Sequence, residues 1–134
     1  AALTSRTDLR ERAERSLQSL GALAQRTPSA FAQLLIAYEF LHGSPREIVI
    51  AGELSSPATQ ALLATVRGAF RPQRVVALAH TGADLALLPL LTGKQQGSQG
   101  ARAYVCQNEQ CQAPVESPET LHAELTAHRI RAAP

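Results

Sequence analysis

The chain has 134 residues, a length that suits one domain with a hydrophobic core of its own. Apolar residues make up 45% of it and aromatic residues 4%, so we expect a core of Ala, Leu, Val and Ile. A net charge of +2 with scattered arginines excludes the concentrated positive face that nucleic acid requires. The sequence has neither a run of about 18 apolar residues nor a signal-peptide layout, so we expect a cytoplasmic protein with no membrane contact.

The chain contains no methionine and runs from Ala1 almost directly into a helical pattern, which indicates a piece of a longer protein. Asp8 and Glu11 have the spacing of an N-terminal helix cap. A helix over residues 8–26 is predicted by apolar residues three or four positions apart: Leu9, Ala13, Leu17 and Leu20. This helix should end before Pro28.

A second helix is predicted from Thr27 as N-cap and Pro28 as its first residue, as far as His42 and Gly43. Its apolar residues surround almost the whole helix: Phe31, Ala32, Leu34, Leu35, Ile36, Tyr38, Phe40 and Leu41. Such a helix is either buried nearly all round or packed against a partner that this chain does not contain. We therefore predict a helical hairpin over residues 1–43, forming one compact unit with residues 44–134.

From residue 46 the pattern predicts a βαβ unit: a strand over 47–51 covered on both faces, a helix from Ser56-Pro57, and a second strand over 74–79. The inward face of that helix is predicted as Ala61, Leu62, Thr65, Val66 and Ala69. A short helix over 83–91, a flexible polar loop over 93–100 and a third strand over 103–106 should follow. Ser117-Pro118 should cap a last helix with Leu121, Leu125 and Ile130 inward.

The predicted fold class is α/β, with an N-terminal helical hairpin followed by a small three-stranded, mainly parallel βαβ sheet flanked by helices. In such a unit, the turn after the first strand precedes a helix N-terminus that can hold an anion. Gly52, Ser55 and Ser56 are the candidate residues for that site. A simple capped turn is the alternative, because Pro57 lacks an N–H and Glu53 adds negative charge.

Cys106 and Cys111 are a candidate thiol pair. Zinc requires about four ligands, and no histidine has finger-like spacing to this pair; the spacing also differs from the redox CxxC motif. We expect two thiols in a reducing cytoplasm, and a disulfide that closes this short loop in the purified chain is the alternative. We favour a structural role in the loop over a redox or metal-binding role. The spacing of the histidines supports no catalytic group, and Glu39 reads as a boundary residue. We predict no metal and no cofactor.

The pattern of Tyr104, Cys106, Cys111 and Pro114, followed by Ser117-Pro118-Glu119, resembles the extreme C-terminus of the spermatogenesis-associated protein 20 family. Residues 31–41, 47–52 and the helix to Phe70 resemble the segment that precedes this motif in the same family. The resemblance implies a large protein with an N-terminal thioredoxin-like domain, a central α/α toroid similar to six-hairpin glycosidases, and this C-terminal region. The thioredoxin-like cysteines would then lie outside this chain.

The resemblance also implies that residues 1–43 form the end of the toroid and that residues 44–134 form a small C-terminal module. Our leading hypothesis is a non-catalytic structural or interaction module that packs on the remaining domains of its parent, with self-association of the isolated chain. The alternative is that it contributes the cysteines or the anion-binding turn to a redox or sugar-processing site that other domains complete.

Overall fold

The computed structural model describes residues 1–68, 70–108 and 110–127. Its α-helices are α1 (Thr7–Arg26), α2 (Ala32–His42), α3 (Pro57–Arg67) and α4 (Pro118–Ala127). Its strands are β1 (Arg46–Gly52), β2 (Arg74–Ala79), β3 (Ala101–Gln107) and β4 (Gln110–Cys111). Short 3-10 turns occur at Pro28–Phe31 and Pro89–Leu91. The mixed α/β class predicted from the sequence is confirmed.

The strands form one mixed sheet, and its order is β2, β1, β3, β4 within the described residues. The predicted parallel pair is present, because β1 pairs parallel to β2. β3 pairs antiparallel to β1, and β4 pairs antiparallel to β3. The prediction of a three-stranded, mainly parallel sheet is therefore wrong in its strand number and in the direction of most pairings.

The connection between β2 and β3 explains this difference. A parallel return would require a crossover along the full length of the sheet, usually a helix. The predicted helix over 83–91 does not form: Asp84 Oδ1 accepts the N–H groups of Ala86 and Leu87 at 2.9 and 3.0 Å, and Pro89 has no N–H to donate. The chain therefore re-enters the sheet at the same end of the strands at which β2 finishes. As a result, β3 runs antiparallel to β1.

The two faces of the sheet bury different sets of residues. On one face, α3 and α4 pack against Ile48 and Ile50 of β1 and against Ala103 and Val105 of β3. On the other, Val49 and Ala77 pack with Leu91 from the loop between β2 and β3. Residues 48–51 are all buried, so the prediction of a strand covered on both faces is confirmed for β1.

The inward faces of the last two helices agree in part with the sequence pattern. α3 buries Leu62 and Val66 as predicted, but Thr59 and Leu63 lie inward and Ala61 is exposed. α4 buries Leu121 and Leu125 as predicted. The Ser117 hydroxyl caps α4 by accepting the N–H of Thr120 at 3.1 Å. The predicted inward residues Ala69 and Ile130 lie outside the described residues.

The hairpin helices begin differently from the prediction. α1 starts at Thr7 with no side-chain cap, and Asp8 forms an ion pair with Arg6 at 2.6 Å instead of a capping box with Glu11. The chain makes a 3-10 turn from Pro28, so α2 starts at Ala32 and Thr27 makes no N-terminal side-chain cap. The Thr27 hydroxyl donates instead to the Leu23 carbonyl oxygen at the end of α1, at 3.3 Å. The helix ends agree with the sequence pattern, since Gly43 follows α2 directly.

Candidate functional site

The hairpin of α1 and α2 carries several large apolar residues that are exposed. α2 has no buried residue, and Leu35, Ile36 and Tyr38 are 44%, 53% and 54% exposed. Two leucines of α1 are exposed as well, and we call the exposed apolar residues of the hairpin together the apolar hairpin face: Leu20, Leu23, Leu35, Ile36 and Tyr38. Of the two alternatives that the sequence pattern left open, burial of α2 is therefore not seen among the described residues.

A groove of about 580 Å³ runs between the two helices beside this face. Its apolar lining comes from Leu17, Gly21 and Ala24 of α1 and from Leu34, Leu35 and Tyr38 of α2. Gly21 opens the groove, because no atom lies within 4 Å of the position that a Cβ would take there. An apolar groove next to exposed leucines is a surface suited to an apolar helix or loop of another segment.

The candidate thiol pair lies at the end of the β3–β4 ladder. Cys106 and Cys111 are register partners with their Cα atoms 3.9 Å apart, and the structure joins their sulfurs in a disulfide. That state is the alternative that the sequence analysis left open beside two free thiols. Cys106 is 2% exposed, whereas Cys111 is an exposed residue.

Lys94 contacts both sulfurs of this pair. Its Nζ lies 3.1 Å from Cys111 Sγ and 3.8 Å from Cys106 Sγ, and 4.9 Å from the centre of the Tyr104 ring. Together these side chains form the cystine site: Lys94, Tyr104, Cys106 and Cys111. Sequence reasoning missed Lys94. The one signal that could have singled it out is that it is the only lysine among the 13 lysine and arginine residues of the chain.

Tyr104, a residue of the family motif, holds the Lys94 loop in place. Its hydroxyl accepts the N–H of Gln95 at 3.1 Å and donates to the carbonyl oxygen of the same residue at 2.9 Å. The loop over 93–100 is therefore hydrogen-bonded to β3 at Gln95, and its flexibility stays a prediction. Pro114 is exposed and lies between β4 and the bridge that Val115 makes to Ala103.

The candidate anion-binding turn has a carboxylate in its neighbourhood. Glu53 accepts the N–H of Thr81 at 2.9 Å. Hydrogen bonding to the Thr81 side chain, followed by this backbone hydrogen bond, lowers the pKa of Glu53 below its ordinary value. Ser55 is exposed, and Ser56 makes no side-chain cap to α3. A charged carboxylate next to Gly52 repels an anion. The anion site stays a prediction that this geometry does not favour.

The remaining candidate groups do not converge. The rings of His42 and Tyr38 contact each other at a tilt of 45°, with their centres 4.3 Å apart. His80 Nδ1 lies 2.7 Å from the Thr81 carbonyl oxygen. Glu39 is exposed and accepts a hydrogen bond from Gln73 at 2.7 Å. His128 lies outside the described residues. Within residues 1–68, 70–108 and 110–127, no group of three or more His, Cys, Asp and Glu could hold a metal ion.

The fold and its surfaces thus define a small mixed α/β module with an exposed helical hairpin on one side. Over the part of the chain that is described, no helix is both long enough and apolar enough to cross a membrane.

Comparison with known proteins relates this module to a family. The chain is 30% identical to spermatogenesis-associated protein 20 of Homo sapiens over 97 residues, which cover 70% of this chain and 12% of that protein. It is 26% identical to the Rattus norvegicus protein of the same name over 119 residues, covering 87% of this chain and 15% of that protein. The chain is related to the spermatogenesis-associated protein 20 family, as its motif indicated.

The chain spans about an eighth to a seventh of the length of these two relatives. No family model matches the chain. No solved structure matches it significantly either.

Proposed function

We propose that this chain is a non-catalytic docking module whose apolar hairpin face packs against the remaining domains of a longer parent protein. The observation that carries the proposal is α2, an apolar helix without one buried side chain. Full burial of an exposed leucine or isoleucine contributes about 1.5–3 kcal/mol, so covering one that is half exposed contributes roughly half of that. An uncovered surface of this kind marks an interaction site.

The occupant is proposed to be another segment of the parent, because the relatives carry most of their length outside the region that this chain matches. The hairpin is joined to the sheet by polar contacts: Gln73 to Glu39 at 2.7 Å, and Gln107 to the Ser44 carbonyl oxygen at 2.6 Å. Both contacts lie at the end of the hairpin next to β1. The apolar hairpin face thus remains open for a partner.

The test is a double substitution, Leu35→Glu with Ile36→Glu, in the parent protein and in the 134-residue chain. Both side chains are exposed, so we expect the isolated variant to keep its fold by circular dichroism. The parent variant should have a lower melting temperature and faster protease cleavage beside the module. The isolated chain should self-associate in sedimentation velocity, and the double substitution should abolish that association.

Leu54→Glu is the matched control, because Leu54 is also exposed but lies in the turn after β1. It should leave the behaviour of both proteins unchanged. A parent protein that tolerates the Leu35→Glu and Ile36→Glu substitutions as well as it tolerates Leu54→Glu contradicts the proposal.

A further inference from the structure

We propose that the cystine site is a thiol–disulfide exchange site that accepts two electrons from a dithiol reductant, with Lys94 stabilising the thiolates that exchange releases. The observation behind this proposal is the placement of one ammonium group against both sulfurs, at 3.1 and 3.8 Å. A disulfide that only holds a hairpin together needs no cation at its sulfurs. A disulfide that is opened does, because its leaving group is an anion.

The burial of the pair determines which sulfur is attacked. Cys106 is 2% exposed, whereas Cys111 lies exposed on the short strand β4. An incoming thiolate can reach Cys111 from solvent and must displace protein atoms to reach Cys106. Exchange therefore starts at Cys111, and Cys106 is the leaving sulfur.

The reaction balances as follows. A thiolate of the reductant forms a bond to Cys111 Sγ while the bond between the two cysteines breaks, and Cys106 leaves with the electron pair as a thiolate. The second thiol of the reductant loses its proton to solvent and attacks the first sulfur of the reductant, which is bonded to Cys111 in the mixed disulfide. This attack releases the Cys111 thiolate. Cys106 and Cys111 gain two electrons, the dithiol becomes a disulfide, and protons from solvent complete the thiols.

The position of Lys94 is fixed by the surrounding structure. Its ammonium lies over the Tyr104 ring, a favourable arrangement for a cation. The Tyr104 hydroxyl hydrogen-bonds both the N–H and the carbonyl oxygen of the next residue, Gln95. Glu47 occupies the register position opposite Cys106 on β1, and a carboxyl group supplies no positive charge to the sulfurs. The stabilising charge is therefore assigned to Lys94, which touches both sulfurs.

The first experiment measures the rate at which dithiothreitol reduces the native 134-residue chain. Samples are quenched with iodoacetamide, and the alkylated products are measured by mass spectrometry. Lys94→Gln should slow reduction about threefold or more. A change of one unit in the pKa of the leaving thiol changes its ionisation about tenfold, and the Brønsted dependence of exchange makes the effect on the rate smaller than that. Lys94→Arg should restore most of the rate. Arg67→Gln, which removes one exposed charge at the end of α3, should react like the wild type.

A second experiment tests the order of attack with single cysteines. The thiol of the Cys106→Ser variant should react with an aromatic disulfide at least about tenfold faster than the thiol of Cys111→Ser, since only Cys111 is exposed. Melting temperatures of all variants separate exchange chemistry from unfolding.

Equal rates for Lys94→Gln and wild type, with unchanged melting temperatures, overturn the role of Lys94. A pair that dithiothreitol opens only after denaturation overturns the exchange site itself. Both results leave the docking proposal untouched, because the apolar hairpin face is tested by other residues.

Discussion

Gly52, the last residue of β1, shows how one residue determines the close approach of three segments. A Cβ at this position would collide with the Thr59 hydroxyl of α3 and would lie 2.8 Å from the carbonyl oxygen of Gly100. Its φ of 155° is also one that other residues rarely adopt. Gly52 therefore lets the start of α3 and the loop before β3 meet at the end of the central strand.

We expect Gly52→Ala to lower the free energy of unfolding by about 1–3 kcal/mol, because two of the obstructing groups are buried or belong to the backbone. Urea denaturation followed by circular dichroism measures the change. Gly21→Ala is the control, since Gly21 lies in α1 with open space around it and alanine favours a helix by about 0.5–1 kcal/mol. A Gly52→Ala protein as stable as Gly21→Ala would show that the end of β1 relaxes freely.

At the scale of the element, Glu116 holds the loop before β3. Its carboxylate accepts hydrogen bonds from Arg102 at 2.6 and 3.1 Å, from the Ser98 hydroxyl at 3.1 Å and from the Gln99 N–H at 3.3 Å. The Arg102 hydrogen bonds, followed by those from the loop, hold the pKa of Glu116 below its ordinary value. One carboxylate thus joins the loop, β3 and the start of α4.

This lowered pKa predicts a dependence of stability on pH. A carboxylate with a depressed folded-state pKa contributes stability above its unfolded-state pKa, and that contribution is lost as the pH falls through the folded-state value. We expect Glu116→Gln to melt at a lower temperature than wild type at neutral pH. The difference should shrink as the pH falls below about 4.5, the ordinary range for Glu.

Thermal melts between neutral pH and pH 3 provide this measurement. Glu11→Gln is the charge-matched control, because Glu11 is exposed on α1 and its nearest cation in an ion pair is 4.0 Å away. A gap between wild type and Glu116→Gln that stays constant down to the lowest pH contradicts the role given to the carboxylate.

At the scale of the whole molecule, the sheet is packed on both faces while the hairpin stays largely exposed. Residues 48–51 of β1 lie between both core clusters, and their backbone groups pair with strands on both sides. α2 has no buried side chain. Stability is therefore unevenly distributed along the chain.

Hydrogen exchange should show this difference in the isolated chain. The amides of residues 48–51 should exchange only through global unfolding, whereas those of α2 should exchange through local opening, at least about tenfold faster. Mass spectrometry of peptic fragments measures both. In the parent protein, α2 should become more protected if its apolar face is covered. Equal protection of α2 and β1 in the isolated chain would contradict an uncovered hairpin.

Most of the elements could be read from the sequence, because helix and strand periodicity and the proline and glycine boundaries act over a few neighbouring residues. The residues 8–26, 47–51 and 74–79 illustrate this, as does the Ser117 cap of α4. The direction of β3, the fourth strand and the exposure of α2 were decided by tertiary structure. So was the meeting of Lys94 with Cys106 and Cys111, because a loop and a strand hairpin come together there only through strand pairing. Local patterns carry no information on such long-range contacts, whose free energy arises only when the whole sheet is assembled.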